Sequence, residues 1–147
     1  MVAQRPGIRG GNSDTAGESG PVRRGPRLLT SHDAAGTVGW SLVAANGRHL
    51  ACSATRYRDD GELVAALREL RADRRVLRYA VVQRLGRWSW TARLPARRAG
   101  VREGEPIASS ARSYLRQDQC RKGTEVFLRA LDDLPSGAWS VVLTDNR

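Results

Sequence analysis

Read for the alternation of apolar and polar positions, the 147-residue chain is featureless over residues 1–26 and patterned from there almost to its end. In GWSLVAANGRHLACSATRY at 39–57, Trp40, Leu42 and Ala44 alternate with Ser41 and Val43, a period of two that predicts a strand with one packed face. Asn46-Gly47 then predicts a tight type I′ hairpin turn, because both residues tolerate positive φ. Leu50 and Cys52 continue on a returning strand. From DDGELVAALREL the period lengthens, placing Leu63, Ala66, Leu67 and Leu70 on one helical stripe. Asp59 and Glu62 stand at capping-box spacing to open that helix. RYAVVQRLGRWSWTARL predicts a strand over Tyr79–Gln83, a turn at Leu85-Gly86, and a second strand with Trp88, Trp90, Ala92 and Leu94 on one face. A second helix carries Cys120, Gly123, Thr124 and Phe127 on its stripe and is weakened by the glycine within it. RLLTSHDAAG reads as a weaker strand, and GAWSVVLT as a C-terminal strand.

These elements recur in the same order. WSLVA aligns with WSWTA, so that Trp40 matches Trp88, Leu42 matches Trp90 and Ala44 matches Ala92. Further on, Leu50-Ala51 matches Ile107-Ala108, Ser53 matches Ser110, and Tyr57 matches Tyr114, after which Leu63, Ala66 and Leu70 match Cys120, Gly123 and Phe127 without a gap. The second copy carries the loop PARRAGVREGEP where the first has only ANGR. The expected organisation is a disordered Arg/Gly/Ser-rich tail over 1–26, repeat one over 27–74, repeat two over 75–134 with a basic loop inserted at 95–106, and a C-terminal strand within 135–147. A face that is aromatic in one copy and aliphatic in the other is a core face. Trp40, Leu42, Trp88, Trp90, Tyr57, Tyr114, Leu67, Leu70 and Phe127 are therefore the expected core, and the tryptophan pair is no base-stacking platform.

Charge changes this picture at one place. The net charge is +10, and every basic residue but Lys122 is Arg. Residues 71–102 hold ten arginines against Asp73 alone. Arg87 and Arg93 fall opposite the tryptophan face, Arg78 and Arg84 lie nearby, and Arg97, Arg98 and Arg102 follow in the loop. Together they are the candidate nucleic-acid contacts, a phosphate-binding strip on the uncovered side of the sheet. The alternatives are a solvated face in an arginine-biased composition, or a surface that meets a second subunit.

Catalytic chemistry is not legible. His32 and His49 have no partner at metal-ligand spacing, and Cys52 and Cys120 fit neither a metal cluster nor a disulfide framework. Asp59-Asp60 and Asp132-Asp133 read as helix-end carboxylates. GVREGEP lacks the lysine and the strand-to-helix setting of a phosphate cradle. No metal, no cofactor and no membrane partner are expected. The N-terminus lacks the apolar run of a secretory signal, so the expected compartment is the cytoplasm.

The order and spacing of WSLVAANGRHLACSATRY, and again of IASSARSY with its following helix, resemble the YegP-like family of tandem small domains of unknown function, over about residues 28–131. The resemblance implies an α+β fold in which each repeat is a three-stranded antiparallel sheet with one helix packed across it. It also implies that the two repeats are related by a pseudo-two-fold. The tail, the 95–106 loop and the C-terminal strand lie outside that pattern, and the second copy lacks the Asn-Gly turn. The expected role is a non-enzymatic binding or assembly module acting as a homodimer. The alternative is sequence-independent nucleic-acid binding through the arginine block and the basic tail.

Overall fold

The computed structural model describes residues 25–95 and 106–141. Six strands run β1 Arg27–His32, β2 Val38–Val43, β3 His49–Ser53, β4 Arg78–Arg84, β5 Arg87–Arg93 and β6 Pro106–Ser110. Two long helices are interleaved with them, α1 over Asp60–Asp73 and α2 over Gln117–Asp133. The fold is α+β. All six strands join in one antiparallel sheet, in the order β1-β2-β3-β6-β5-β4. Its middle is the β3–β6 seam, where Ala51, Cys52 and Ser53 face Ser110, Ser109 and Ala108.

Turn chemistry explains the hairpins. Between β1 and β2 the Asp33 N–H donates to Thr37 O and the Gly36 N–H to Asp33 O, with Gly36 at φ +90. The β2–β3 turn repeats this arrangement through Ala44, Arg48 and Gly47, the last at φ +89. It is a three-residue loop ending in a left-handed glycine, not the type I′ turn expected at Asn46-Gly47. Only Gly47 needs positive φ there, and the Asn46 side chain instead accepts from the Arg48 N–H at 2.9 Å. The type I′ turn sits between β4 and β5, where Leu85 (φ 54) and Gly86 (φ 78) are both left-handed and Arg84 pairs directly with Arg87.

Both helices lie on one face of the sheet over a single core. From α1 come Leu63, Leu67 and Leu70, and from α2 come Cys120, Phe127, Ala130 and Leu131. The sheet contributes Leu28, Trp40, Leu42, Ala51, Trp90, Ala92 and Ala108. Under α2 the Trp90 ring meets Phe127 at 4.9 Å between centroids, and Tyr79 stands edge-on to Trp90 at 5.9 Å. Leu50 and Ile107 are the extra residues at the two register shifts, opposite Leu42/Val43 and Ala92/Arg93, and both pack on this core. Asp59 caps α1 by accepting from the Glu62 N–H at 2.9 Å. The Glu62 carboxylate returns to the Arg58 N–H, one residue before the position a capping box uses.

Two sequence expectations need correction. By backbone environment Trp40 corresponds to Trp90, because their N–H groups donate to Ser53 Oγ and Ser110 Oγ, each at 3.2 Å. Trp88 corresponds to Val38, since these two bridge to Tyr114 and Tyr57. The match of Trp40 with Trp88 is thus two residues out. A slip of two leaves every side chain on its original face, so the face assignment does not depend on it. The second correction concerns the C-terminus, where Ala138–Val141 is a short helix, α3, rather than a strand. A strand there would need a neighbour to bond. A helical turn opening from Pro135, whose carbonyl accepts from the Ala138 N–H at 2.9 Å, bonds within itself and tucks Trp139 into the core. Residues 142–147 lie outside the described residues, as do 1–24 of the expected tail and 96–105 of the expected loop.

Candidate functional site

The sheet face away from the helices is built from the opposite set of alternates. One row of directly paired residues crosses all six strands: Leu29, Ser41, Cys52, Ser109, Thr91 and Ala80. Its side chains are mostly small, so the middle of this face is shallow. On the β4–β5 hairpin the same face carries Val82 opposite Ser89 and, at the two ends, Arg78 opposite Arg93 and Arg84 opposite Arg87. Each end therefore sets two arginines directly across the ladder. Six residues of extended chain separate the two ends, about 20 Å. Arg87 is oriented by donating from Nε to Ser113 Oγ at 2.8 Å. Arg78 and Arg84 are exposed and form no ion pair with a described carboxylate.

Three of the described carboxylates are engaged at the helix ends. Asp132 takes both Arg74, at 2.7 Å, and Arg75, at 2.9 Å, at the helix ends. Glu62 takes Arg58 and Asp118 takes Arg116 at the N-termini of α1 and α2. Of the seven arginines expected as nucleic-acid contacts, Arg78, Arg84, Arg87 and Arg93 share one hairpin face, while Arg97, Arg98 and Arg102 lie outside the described residues. No aromatic ring accompanies the four. Tyr79 belongs to the helix side, where burial pushes its phenol up to about 12.

The residues expected in the core fall as follows. Trp40, Leu42, Trp90, Leu67, Leu70 and Phe127 are buried, and Trp88, Tyr57 and Tyr114 are half-buried at its margin. The two tyrosines exchange paired backbone hydrogen bonds with the starts of the central strands, Tyr57 with Val38 and Tyr114 with Trp88. They thereby tie each loop after the third strand back to the sheet.

Arg56 escaped the sequence reading. Its guanidinium donates to Thr37 Oγ1, Ser31 Oγ and the carbonyls of Ser31 and Thr37, and lies 3.7 Å from Asp33, pinning the far end of β1–β2. The signal was Gly39, since a Cβ there would stand 2.8 Å from Arg56 Nη1. Among the described residues nothing on the open face assembles a nucleophile with a base. Cys52 Sγ lies 3.6 Å from Ser109 Oγ at the seam, and burial pushes the Cys120 thiol up. His32 Nε2 stands 3.5 Å from Asp60 on the surface. Among the described residues no three His, Cys, Asp or Glu side chains converge as metal ligands, and no helix is long and apolar enough to cross a membrane.

No family model matches the chain, and no curated protein does. Among solved structures it is similar to a UPF0339 protein from Shewanella oneidensis, with 13% identity and a TM-score of 0.58, covering 71% of this chain and 82% of that one. It is also similar to the protein of unknown function yegP from E. coli, with 14% identity and a TM-score of 0.54, covering 77% of this chain and 88% of that one. At such identity the likeness concerns the fold. The resemblance carried by WSLVAANGRHLACSATRY and the similarity in three dimensions agree: this chain has the fold of the YegP-like proteins.

Proposed function

We propose that the chain is a non-enzymatic binding module whose partner is the phosphate backbone of nucleic acid, held on the uncovered face of the β4–β5 hairpin. The observation that carries this reading is the pair of like-charged ladder positions, Arg78 with Arg93 and Arg84 with Arg87. Folding gathers four positive charges on one hairpin face, which a polyanion complements. The roughly 20 Å between the pairs spans about six phosphates of one strand along the duplex axis. The absence of aromatic side chains on this hairpin face argues for backbone contact without base stacking, and so for binding indifferent to sequence. Counterion release sets the test. Four contacts give a log–log salt slope of about −3.6, roughly a hundredfold loss of affinity from 50 to 200 mM salt. A fluorescent 20-base-pair duplex titrated with the full chain reads this by anisotropy. Replacing all four arginines with alanine removes most of the slope and leaves the fold intact. Binding that is unchanged in that variant, or absent from the wild type at 50 mM salt, overturns the reading.

Self-association is the second reading, favoured by the two sheet edges. Among the described strands, β1 and β4 each have a paired strand on one side only, the kind of edge to which another copy adds a strand. The arginine face is a poor surface for a two-fold dimer, because symmetry lays arginine on arginine. An edge-to-edge homodimer keeps that face clear. Sedimentation velocity across protein concentrations tests it, and a monomer at all concentrations refutes it.

We further read the sheet as two β-β-β-α repeats about a local two-fold at the Cys52–Ser109 pair. Matched bonds support this, Trp40 to Ser53 beside Trp90 to Ser110, as do the matched register shifts that set Leu50 beside Ile107 in role.

A further inference from the structure

A second concave surface lies away from the arginine hairpin, between the β2–β3 turn, the loop after β6 and the outer flank of α2. It is an open cleft of about 260 Å³. The side chains around it are mainly of two kinds. Arg48, Arg112 and Lys122 are cationic, and Leu50, Tyr114 and Val126 are apolar or aromatic; Asn46 and Gln119 add neutral polar groups, and among the described residues no carboxylate lines the cleft. None of the three cations is ion-paired to a described carboxylate. Arg112 lies over the Tyr114 ring, 5.3 Å from its centroid, which spreads the positive charge across an aromatic surface. Burial pushes the Tyr114 phenol up, and Arg112 over its ring pulls the other way. Val126 is 44% exposed here although the other flank of its helix is in the core, so α2 offers apolar surface to this cleft as well as to the sheet.

We infer that this cleft is a binding site for a small organic carboxylate with a flat apolar body, its ring against Tyr114, Leu50 and Val126 and its charge among Arg48, Arg112 and Lys122. Pockets for small ligands join an apolar lining to a few convergent polar groups, and the chemistry of those groups decides the ligand. Three cations without a neutralising acid select an anion. The guanidinium of Arg112 presents a fork that matches a carboxylate's two oxygens. This inference stands apart from the phosphate-backbone reading, since the two sites share no residue.

The test uses the full ¹⁵N-labelled chain and 2-naphthoate as probe, with 2-naphthylmethanol as a neutral molecule of nearly the same shape. Naphthoate should give saturable shifts in the amides of Leu50, Tyr114 and Gly123, and the alcohol should bind at least tenfold more weakly. Arg112→Ala with Lys122→Ala, both exposed positions, should weaken naphthoate at least tenfold. The variant lacking Arg78, Arg84, Arg87 and Arg93 should bind naphthoate unchanged, which separates this site from the hairpin face. Equal binding of acid and alcohol overturns the inference. So do shifts that map to β4–β5, or no shifts at millimolar probe.

Discussion

Gly123→Ala sets two effects of opposite sign against each other at one atom. In a helix interior alanine is favoured over glycine by up to about 1 kcal/mol, and Gly123 sits mid-way along α2. The new Cβ, however, would stand 2.5 Å from Tyr114 Oη, 3.0 Å from Tyr114 Cζ and 3.3 Å from Trp90 Nε1. The tyrosine has little room to retreat. Its backbone is bonded twice to Trp88 at 2.7 Å, Arg112 covers its ring, and Trp90 behind it is fully buried. Overpacking of this kind costs about 1–3 kcal/mol, so the substitution should destabilise by about 1 kcal/mol net. Tyr114→Phe removes the atom in closest contact. In that background Gly123→Ala should be nearly neutral or stabilising, giving a coupling of about 1–2 kcal/mol in a double-mutant cycle. Urea unfolding followed by tryptophan fluorescence on the four proteins measures it. Full helix-propensity stabilisation by Gly123→Ala alone, or a coupling under about 0.5 kcal/mol, refutes the argument.

Leu85 holds φ 54 while 95% exposed, so it bears left-handed strain and receives no packing in return. Leu85→Asn should therefore stabilise by about 1 kcal/mol in the same assay, and unchanged stability refutes the strain. Trp90→Ala should cost about 3–5 kcal/mol as a full core truncation, with half-buried Trp88→Ala clearly less; equal losses contradict the burial assignment. Hydrogen bonds from Thr37, aided by Arg56, hold the Asp33 carboxyl below its ordinary value of 3.8. A depressed folded value means the stabilisation is present above the unfolded value and is lost as pH falls through the folded one. Asp33→Asn should remove that part of the acid-unfolding limb, and superimposable limbs refute it.

How far the sequence discloses this molecule depends on how strongly each segment is buried. β2 and α1 stand out because Trp40, Leu42, Leu63, Leu67 and Leu70 fill one face at the right period. β1 is faint because it forms a sheet edge where Leu28 alone is buried, so no alternation is imposed on its neighbours. Loop length misleads at Asn46-Gly47, since that dipeptide suits a two-residue turn and the chain uses three residues. At Leu85-Gly86 the reverse holds, and a leucine occupies a position its propensity argues against. That two-residue turn fixes the hairpin register, and with it the facing of Arg78 by Arg93. The strand face of Arg87 and Arg93 follows from parity alone, but their partners require the turn. The cleft has no linear trace. Its walls come from residues 44–50, 112–114 and 119–126, which meet only when β3 lies against β6.

That seam also governs the order of assembly. Every other strand pair joins residues fewer than about twenty positions apart, whereas Cys52 meets Ser109 across an intervening chain that includes α1 and the β4–β5 hairpin. By loop-closure entropy, joining ends about 57 residues apart costs roughly 1.5 kcal/mol more than closing a ten-residue hairpin. The seam offers three residue pairs in return, several of them small. Hairpins and helices thus have reason to form first and the seam to close last, so the folding barrier sits at the sheet's centre. Substitutions at Ala51, Ser53 or Ala108 should then mainly speed unfolding, while those in the outer hairpins, already formed at the barrier, should slow folding and leave the unfolding rate almost untouched.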